Sequence, residues 1–401
     1  MWKKKVFSSI GLLPKEEMLE VKPDFMQLII GVPKESSFQE NRVSLTPDSV
    51  GLLVANGHTI VIEKGAGDSS SFTDKEYSEN GAEIVYSKEE VFKSDLILKI
   101  EPPTKSEIKL MRSNQTLISA VQMSTQKTEY FNELNKKHIS SLGFEFIRDK
   151  QDKLPIVRSM SEIAGNSSLL IASEYLSNTK GGKGLMLGGI TGSIPTNVVV
   201  IGAGTVAEYA CRTALGLGAS VIVFDDSFSK LRRIQNNINQ KISTSSIQPK
   251  VLAKALKRAD VVISAQQVGN GRVPCIVSEE MVVDMKNGAI VIDVSIDQGG
   301  SFETSKLTTH NNPTYVEHDV VHYCVPNITS RVSRTATIAI SNILTPILLI
   351  IAEEGGISNA IRRYESLRKG VYTFNGYLTN KTLSKNFKIP FKDLNLIMST
   401  L

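Results

Sequence analysis

The stretch "NVVVIGAGTVAEYACRTALGLGASVIVFDDS", residues 197 to 227, decides the fold. The β-favouring residues Val198 to Ile201 run straight into Gly202, Ala203 and Gly204. A helix-like segment follows through Leu217, and a second strand covers Val221 to Phe224 and ends at Asp225. Each part of that order has a physical reason. A glycine at 202 permits a tight turn, a glycine at 204 lets the backbone approach a pyrophosphate, and the start of a helix presents free N–H groups and a positive dipole end. Thr205 and Val206 open that helix, and Ala207 is small enough to pack a helix on a strand where a third glycine often stands. Asp225 can accept ribose hydroxyls and would repel a 2′-phosphate, which favours NAD over NADP; Arg232 and Arg233 fall on the next helix. A glycine pattern alone is weak evidence, but strand, turn, helix, strand and acid together specify a dinucleotide site.

Similar alternation extends on both sides. "LIIGVPKE" (28 to 35) and "HTIVIEKGAG" (58 to 67) read as strands, with a helix between them capped near Thr46 and stopped by Gly57. The pattern continues to about residue 150 as a first parallel block. "MSEIAGNSSLLIASEYLSN" (160 to 178) has helical spacing and reads as a long connecting helix. The glycine-rich "KGGKGLMLGGITGSIP" reads as a short hairpin or loop, a second block runs from Val198 to about Tyr323, and the tail from about residue 333 reads as helical. The expected class is α/β, with two Rossmann-like parallel-sheet domains and a cleft between them.

At 401 residues the chain is long enough for two such domains. Its net charge of +5, from 46 basic and 41 acidic residues, is spread along the chain, which excludes the concentrated stripe of a nucleic-acid groove. Cys211, Cys275 and Cys324 lie far apart without metal or disulfide spacing, in keeping with a reducing, cytoplasmic setting. Residues 1 to 26 carry a basic cluster and a brief apolar patch cut by Pro14, Lys15, Glu16 and Glu17, and read as an appendage, not a secretory signal. "ATIAISNILTPILLIIA" (336 to 352) is the most apolar run. Ser341, Asn342, Thr345 and Pro346 interrupt it, so it reads as a buried core helix and no membrane contact is expected.

In an open parallel sheet, ligands collect beyond the carboxyl ends of the strands. "GAIVIDVSIDQGG" (288 to 300) is such a strand, which puts Asp297 either beside the nicotinamide as a proton carrier or in a turn-capping role; Asp293, within the apolar run, serves structure. Arg42 in "KESSFQENRVSLTP" and Lys99 in "LILKIEPP" sit at strand ends where they can anchor an anionic substrate, or remain solvated charges. His318 and His322 in "HDVVHY" lack the glutamate of a zinc-binding helix and sit in an extended segment, so no metal is expected there.

Taken in order, "VPKESSFQENRVSLTP", "KGAGDSSSFTDKEY", "MSEIAG", "GGKGLMLGGITG", "VVVIGAGTVAEYA", "VIDVSIDQGG", "TTHNNPTY" and "HYCVPNITS" resemble the alanine dehydrogenases and the related N-terminal part of nicotinamide nucleotide transhydrogenase. The resemblance spans about residues 27 to 355 and is highly specific as a combination; the DQGG form separates the chain from the transhydrogenases. It implies conversion of L-alanine, water and NAD to pyruvate, ammonium and NADH, by a homo-oligomer, either hexamer or dimer. It also implies a substrate domain from 27–155 and 333–401, and an NAD domain at 156–332. Carried over by position, Arg42 is similar to the substrate-carboxylate arginine and Lys99 to the lysine that contacts pyruvate. Asp297 matches the proton-transfer aspartate. Ser161 resembles a pyrophosphate contact, Gly202 to Val206 the phosphate turn, Asp225 the ribose acid, and Ile296, Asp297, Asn327 and Ile328 the nicotinamide surroundings.

One position departs from the pattern. Gln122, in "TLISAVQMSTQ", stands where the family's catalytic histidine is expected, and glutamine donates hydrogen bonds but holds no proton near neutral pH. The segment after Asn327 also lacks the usual Pro-Gly. Catalysis then leans on Asp297 and Lys99. Two alternatives follow: an NAD-binding regulator that has lost turnover, and a transhydrogenase-like subunit, which requires a membrane partner and an NADP-binding component.

Overall fold

The computed structural model describes residues 25–268 and 271–399. The first sheet is begun by β1 (Ile29–Val32), β2 (Thr59–Glu63), β3 (Glu83–Val85), β4 (Leu96–Leu98), β5 (Thr116–Ser119) and β6 (Ser140–Gly143), all parallel to their neighbours. β1 lies between β2 and β4, with Ile30 opposite both Ile60 and Leu96. The central strands β1, β2 and β4 are largely apolar and buried, as strands covered by helices on each side must be. The helix Pro47–Ala55 joins β1 to β2; Thr46 accepts the Ser49 N–H at its start, and Gly57 takes a positive φ of 86° past its end.

The second sheet is built from β7 (Asn197–Ile201), β8 (Ser220–Phe224), β9 (Ser243–Ser245), β10 (Val261–Ser264), β11 (Ile290–Asp293), β12 (Thr314–Glu317) and β13 (Val320–Tyr323). Its order is β12-β13-β11-β10-β7-β8-β9, parallel apart from the β12–β13 hairpin. Both sheets are therefore Rossmann-like and mostly parallel. The helix Pro155–Leu176 runs from one to the other and crosses the helix Thr205–Gly216. Gly165 marks the crossing: a Cβ there would lie 2.4 Å from the Val206 carbonyl oxygen, so only glycine lets the two backbones approach this closely.

The tail is not wholly helical as its apolar pattern suggests. After the helix Ser333–Glu353 the chain forms β14 (Val371–Phe374) and β15 (Tyr377–Leu378), which extend the first sheet to the order β15-β14-β6-β5-β4-β1-β2-β3. Both added strands are antiparallel, β14 to β6 and β15 to β14, so this edge departs from the expected all-parallel block. They read poorly in the sequence because they are short and follow a strong helical signal. The stretch Ile328–Glu353 is long and apolar enough to cross a membrane by length and composition alone. Here Ile340, Leu344, Leu348 and Ile351 pack into the core of the first sheet. Residues 181–196 form turns with no strand among the described residues, so a loop, not a hairpin, feeds β7. The N-terminal appendage lies outside the described residues up to position 24; Met26 already donates its N–H to the Ala352 carbonyl.

Candidate active site

Parallel strands leave their carboxyl ends on one edge, and the singled-out residues gather there. Gly202 follows β7 with φ 104°, and a Cβ on it would lie 2.6 Å from the Ala265 carbonyl oxygen after β10. At Gly204 a Cβ would meet nothing within 4 Å, so space lies open in front of the turn. The helix Thr205–Gly216 begins there with no side chain capping its first N–H groups. Open space before free N–H donors fits a pyrophosphate. Asp225 uses Oδ2 to accept the Ala203 N–H at 2.8 Å and Oδ1 to accept that of Ser227 at 2.7 Å, so the acid that closes β8 also fixes the glycine turn. Each oxygen keeps a further lone pair for a ribose hydroxyl. Arg233, on the helix Phe228–Asn237, donates to the Ala203 carbonyl at 2.8 Å. Ser161 spends its hydroxyl on the Val157 carbonyl one turn earlier.

Beyond β11 the chain makes a tight turn, Val294–Gln298. Asp293 holds it, accepting from Ser295 N, Ser301 N and the Ser305 hydroxyl at 3.0, 2.9 and 2.7 Å. Ile296 is buried within the turn, whereas Asp297 is open to solvent. Protein nevertheless crowds Asp297 closely enough that burial pushes its carboxyl up to about 6, against the Asn327 N–H and the Arg42 charge, which favour the ionised form. Solvent access and a raised pKa are compatible at the floor of a cleft, where water reaches the group from one side only.

Asn327 has a left-handed backbone, φ 54°, and joins the two lobes. Its amide donates to Glu40 at 2.7 Å, its side-chain oxygen accepts from Thr329, and buried Ile328 follows it. Nearby, the Ser330 hydroxyl donates to the Gln39 carbonyl and accepts the Asn41 N–H. The loop after β1 is thereby docked on the nucleotide lobe, and Arg42 comes to face Asp297.

The Arg42 guanidinium is not free. Its Nε and Nη2 grip Glu40 at 2.7 and 2.5 Å, and Nη1 donates to Thr329 at 3.1 Å and to the Met160 sulfur at 3.5 Å. Of five N–H groups, one on Nη2 remains. Glu101 stands 3.8 Å from that nitrogen. Burial works against the charge of Arg42, but the carboxylates outweigh it and hold the guanidinium above its usual range. Burial likewise drives Glu101 up to about 8, helped by its contact with the Glu40 carboxylate, while Arg42 keeps Glu40 low.

Lys99 is sealed off, with no exposed side-chain surface. Its ammonium donates to both Glu107 oxygens at 3.0 Å and lies 3.4 Å from Glu35. Glu107 is the fourth residue of a capping box with Thr104, and it also takes Lys88 at 2.9 Å. Despite burial these donors hold its carboxyl down to about 2, whereas burial dominates at Glu35 and raises it to about 7. Gln122 belongs to another group. It has φ 48°, and its N–H, like that of Val121, is accepted by the half-buried Glu145. No described contact links it to Arg42, Lys99 or Asp297.

Sequence reasoning missed the four glutamates around the cations. Glu107 carried a readable signal, the Thr-x-x-Glu capping pattern at 104 to 107; Glu40 and Glu101 sit within two residues of Arg42 and Lys99, but spacing alone does not reveal who pairs with whom. The two histidines of "HDVVHY" part company: His322 meets Thr304 at 2.9 Å inside the lobe and His318 meets Glu279 at 2.6 Å outside it.

Sequence models described as "Alanine dehydrogenase/PNT, N-terminal domain" and "Alanine dehydrogenase/PNT, C-terminal domain" match residues 31–164 and 168–381. The chain belongs to the alanine dehydrogenase/PNT family. This family member is 38% identical over 366 residues to the alanine dehydrogenase of Methanococcus maripaludis, covering 91% of the chain and 98% of the relative. It is 36% identical to the alanine dehydrogenase of Mycolicibacterium smegmatis over 367 residues, with the same coverage of both. Among solved structures it matches an L-alanine dehydrogenase with a TM-score of 0.84 at 33% identity, covering 90% of this chain and 99% of that one. A transhydrogenase from Sinorhizobium meliloti matches with a TM-score of 0.75 at 21% identity over 88% and 99% of the two chains, a likeness of fold. The family member is thus an oxidoreductase of the amino-acid dehydrogenase type.

Proposed function

We infer that the chain catalyses the reversible, NAD-dependent oxidative deamination of L-alanine to pyruvate and ammonium. The observation that carries this reading is the docking of the Arg42 loop on the dinucleotide lobe through Asn327 and Ser330, which brings the Arg42 charge close enough to act on the Asp297 carboxyl. The substrate lobe is assigned to 27–155 and 333–401 and the nucleotide lobe to 156–332. NAD is assigned to the turn Gly202 to Val206, with Asp225 at its ribose and Ser161, Ile296, Asn327 and Ile328 lining its course; when bound, it supplies the hydride acceptor.

The remaining Nη2 hydrogen of Arg42 orients the substrate carboxylate. Asp297, ionised above about pH 6, takes the proton of the water that adds to the α-carbon and returns it to the departing nitrogen. Lys99 acts from behind the site, its charge neutralised by Glu35 and Glu107. Gln122 offers an amide donor to a carbonyl oxygen and no proton. Lys99, fully taken up by Glu107 and Glu35, and Gln122, which holds no proton, favour one second reading, a protein that binds NAD and turns over poorly. A soluble, cytoplasmic homo-oligomer is part of the proposal, supported by the exposed apolar side chains Leu185, Met186, Ile190 and Ile194 on one loop.

NADH formation from L-alanine, glycine and L-serine at alkaline pH tests the reading. Alanine is expected to give the highest kcat/KM; tight NAD binding without turnover on any of the three overturns it. Under the second reading a Gln122→His variant gains activity over the wild type.

A further inference from the structure

We propose that Glu101 sets substrate specificity in this cleft: standing beside the last free N–H of Arg42, it admits a monocarboxylate only while it holds a proton. The proposal rests on the alanine reading and deepens it. Its basis is the crowding of acids around one guanidinium. Glu40 takes the Arg42 fork at 2.7 and 2.5 Å, and Glu101 stands 3.8 Å from Nη2, the nitrogen that carries the remaining N–H. All three residues are buried. Glu35, Glu40 and Arg42 face Glu101 from the loop after β1, and Lys99, on its own strand end, is already paired with Glu107 and Glu35. Asp297 faces Arg42 from the other lobe.

Among the described residues, the cations beside Glu101 are therefore already engaged by carboxylates when a ligand carboxylate arrives at an ionised Glu101. A protonated Glu101 changes the balance: it removes one negative charge beside Arg42, and the guanidinium's free N–H can turn to the ligand. Ligand binding then takes up a proton at alkaline pH, when Glu101 is ionised in the free protein. A substrate with a second carboxylate would bring one negative charge too many.

The test uses pyruvate binding to the NADH-loaded protein, without ammonium, followed by quenching of NADH fluorescence. With Glu101 titrating near pH 8, the wild-type Kd is expected to rise on the order of thirtyfold between pH 7 and 9.5. In Glu101→Gln, which keeps a hydrogen-bond donor and cannot ionise, the rise is expected to stay within about threefold, the remainder belonging to Glu35. An equal rise in both proteins overturns the proposal. Calorimetry of the wild type in buffers of different ionisation enthalpy gives a second readout that needs no variant: about one proton is taken up per pyruvate at pH 9, and none taken up overturns it. Proton-coupled pyruvate binding without NADH formation from alanine keeps the proposal and rejects the alanine reading. Alanine turnover with pH-independent binding does the reverse, and no pyruvate binding at either pH rejects both.

Discussion

At the scale of single residues, the cleft works by managing charge. Asp297 is an acid at the strand ends that solvent reaches while burial raises its carboxyl to about 6, so it passes between its two forms near neutral pH. kcat for alanine is accordingly expected to fall about tenfold per pH unit below pH 6, and that acid limb is expected to be missing from the residual rate of Asp297→Asn. Glu107 does the opposite work. Its side chain is 3% exposed and its carboxyl is held down to about 2 from 4.5, first against burial and then by Lys99. A carboxyl lowered in the folded state contributes stability that is complete above about pH 4.5 and is lost as pH falls towards 2; the amount is about 3 kcal/mol. Glu107→Gln leaves Lys99 with Glu35 alone, and urea unfolding at pH 7 is expected to show a loss of about 3 kcal/mol.

At the scale of elements, the crossing of the helices Pro155–Leu176 and Thr205–Gly216 couples packing to cofactor binding. Gly165→Ala puts a methyl 2.4 Å from the Val206 carbonyl and must push the second helix, whose N-terminus faces the pyrophosphate space. Equilibrium unfolding is expected to show a loss of about 2 kcal/mol, with weaker NAD binding by calorimetry. Most of this level was legible in the sequence, because long apolar strands with glycine turns and a 3.6-residue helical period are local signals: Val198 to Asp225 and the helix capped by Thr46 follow the expected course. β14 and β15 were not, being four and two residues long; β14 is paired antiparallel with the distant β6, and β15 only adds to β14. The glycine-rich segment 181–196 also told only that it bends, since glycine permits a hairpin and a loop equally.

At the scale of the whole molecule, the site exists because the ends of two sheets are sewn together by Asn41, Ser330, Asn327 and Glu40. The sequence pointed to Arg42 and Asp297 as separate strand-end charges, but the docking of lobes that brings one within electrostatic reach of the other is a long-range property that spacing cannot carry. The same is true of the glutamates that occupy Arg42 and Lys99. If NAD bridges this cleft, NAD at about a hundredfold its Kd adds about 2.7 kcal/mol to stability, visible as a higher Tm, and NADP at the same concentration adds far less because Asp225 repels the 2′-phosphate. The most direct test of the central claim is steady-state NADH formation from L-alanine by the wild type and by Asp297→Asn, with NAD binding measured in both. Turnover by the wild type is expected, with a fall in kcat of about 100-fold or more in the variant and NAD affinity within a few-fold. Equal kcat in the two proteins would contradict that claim.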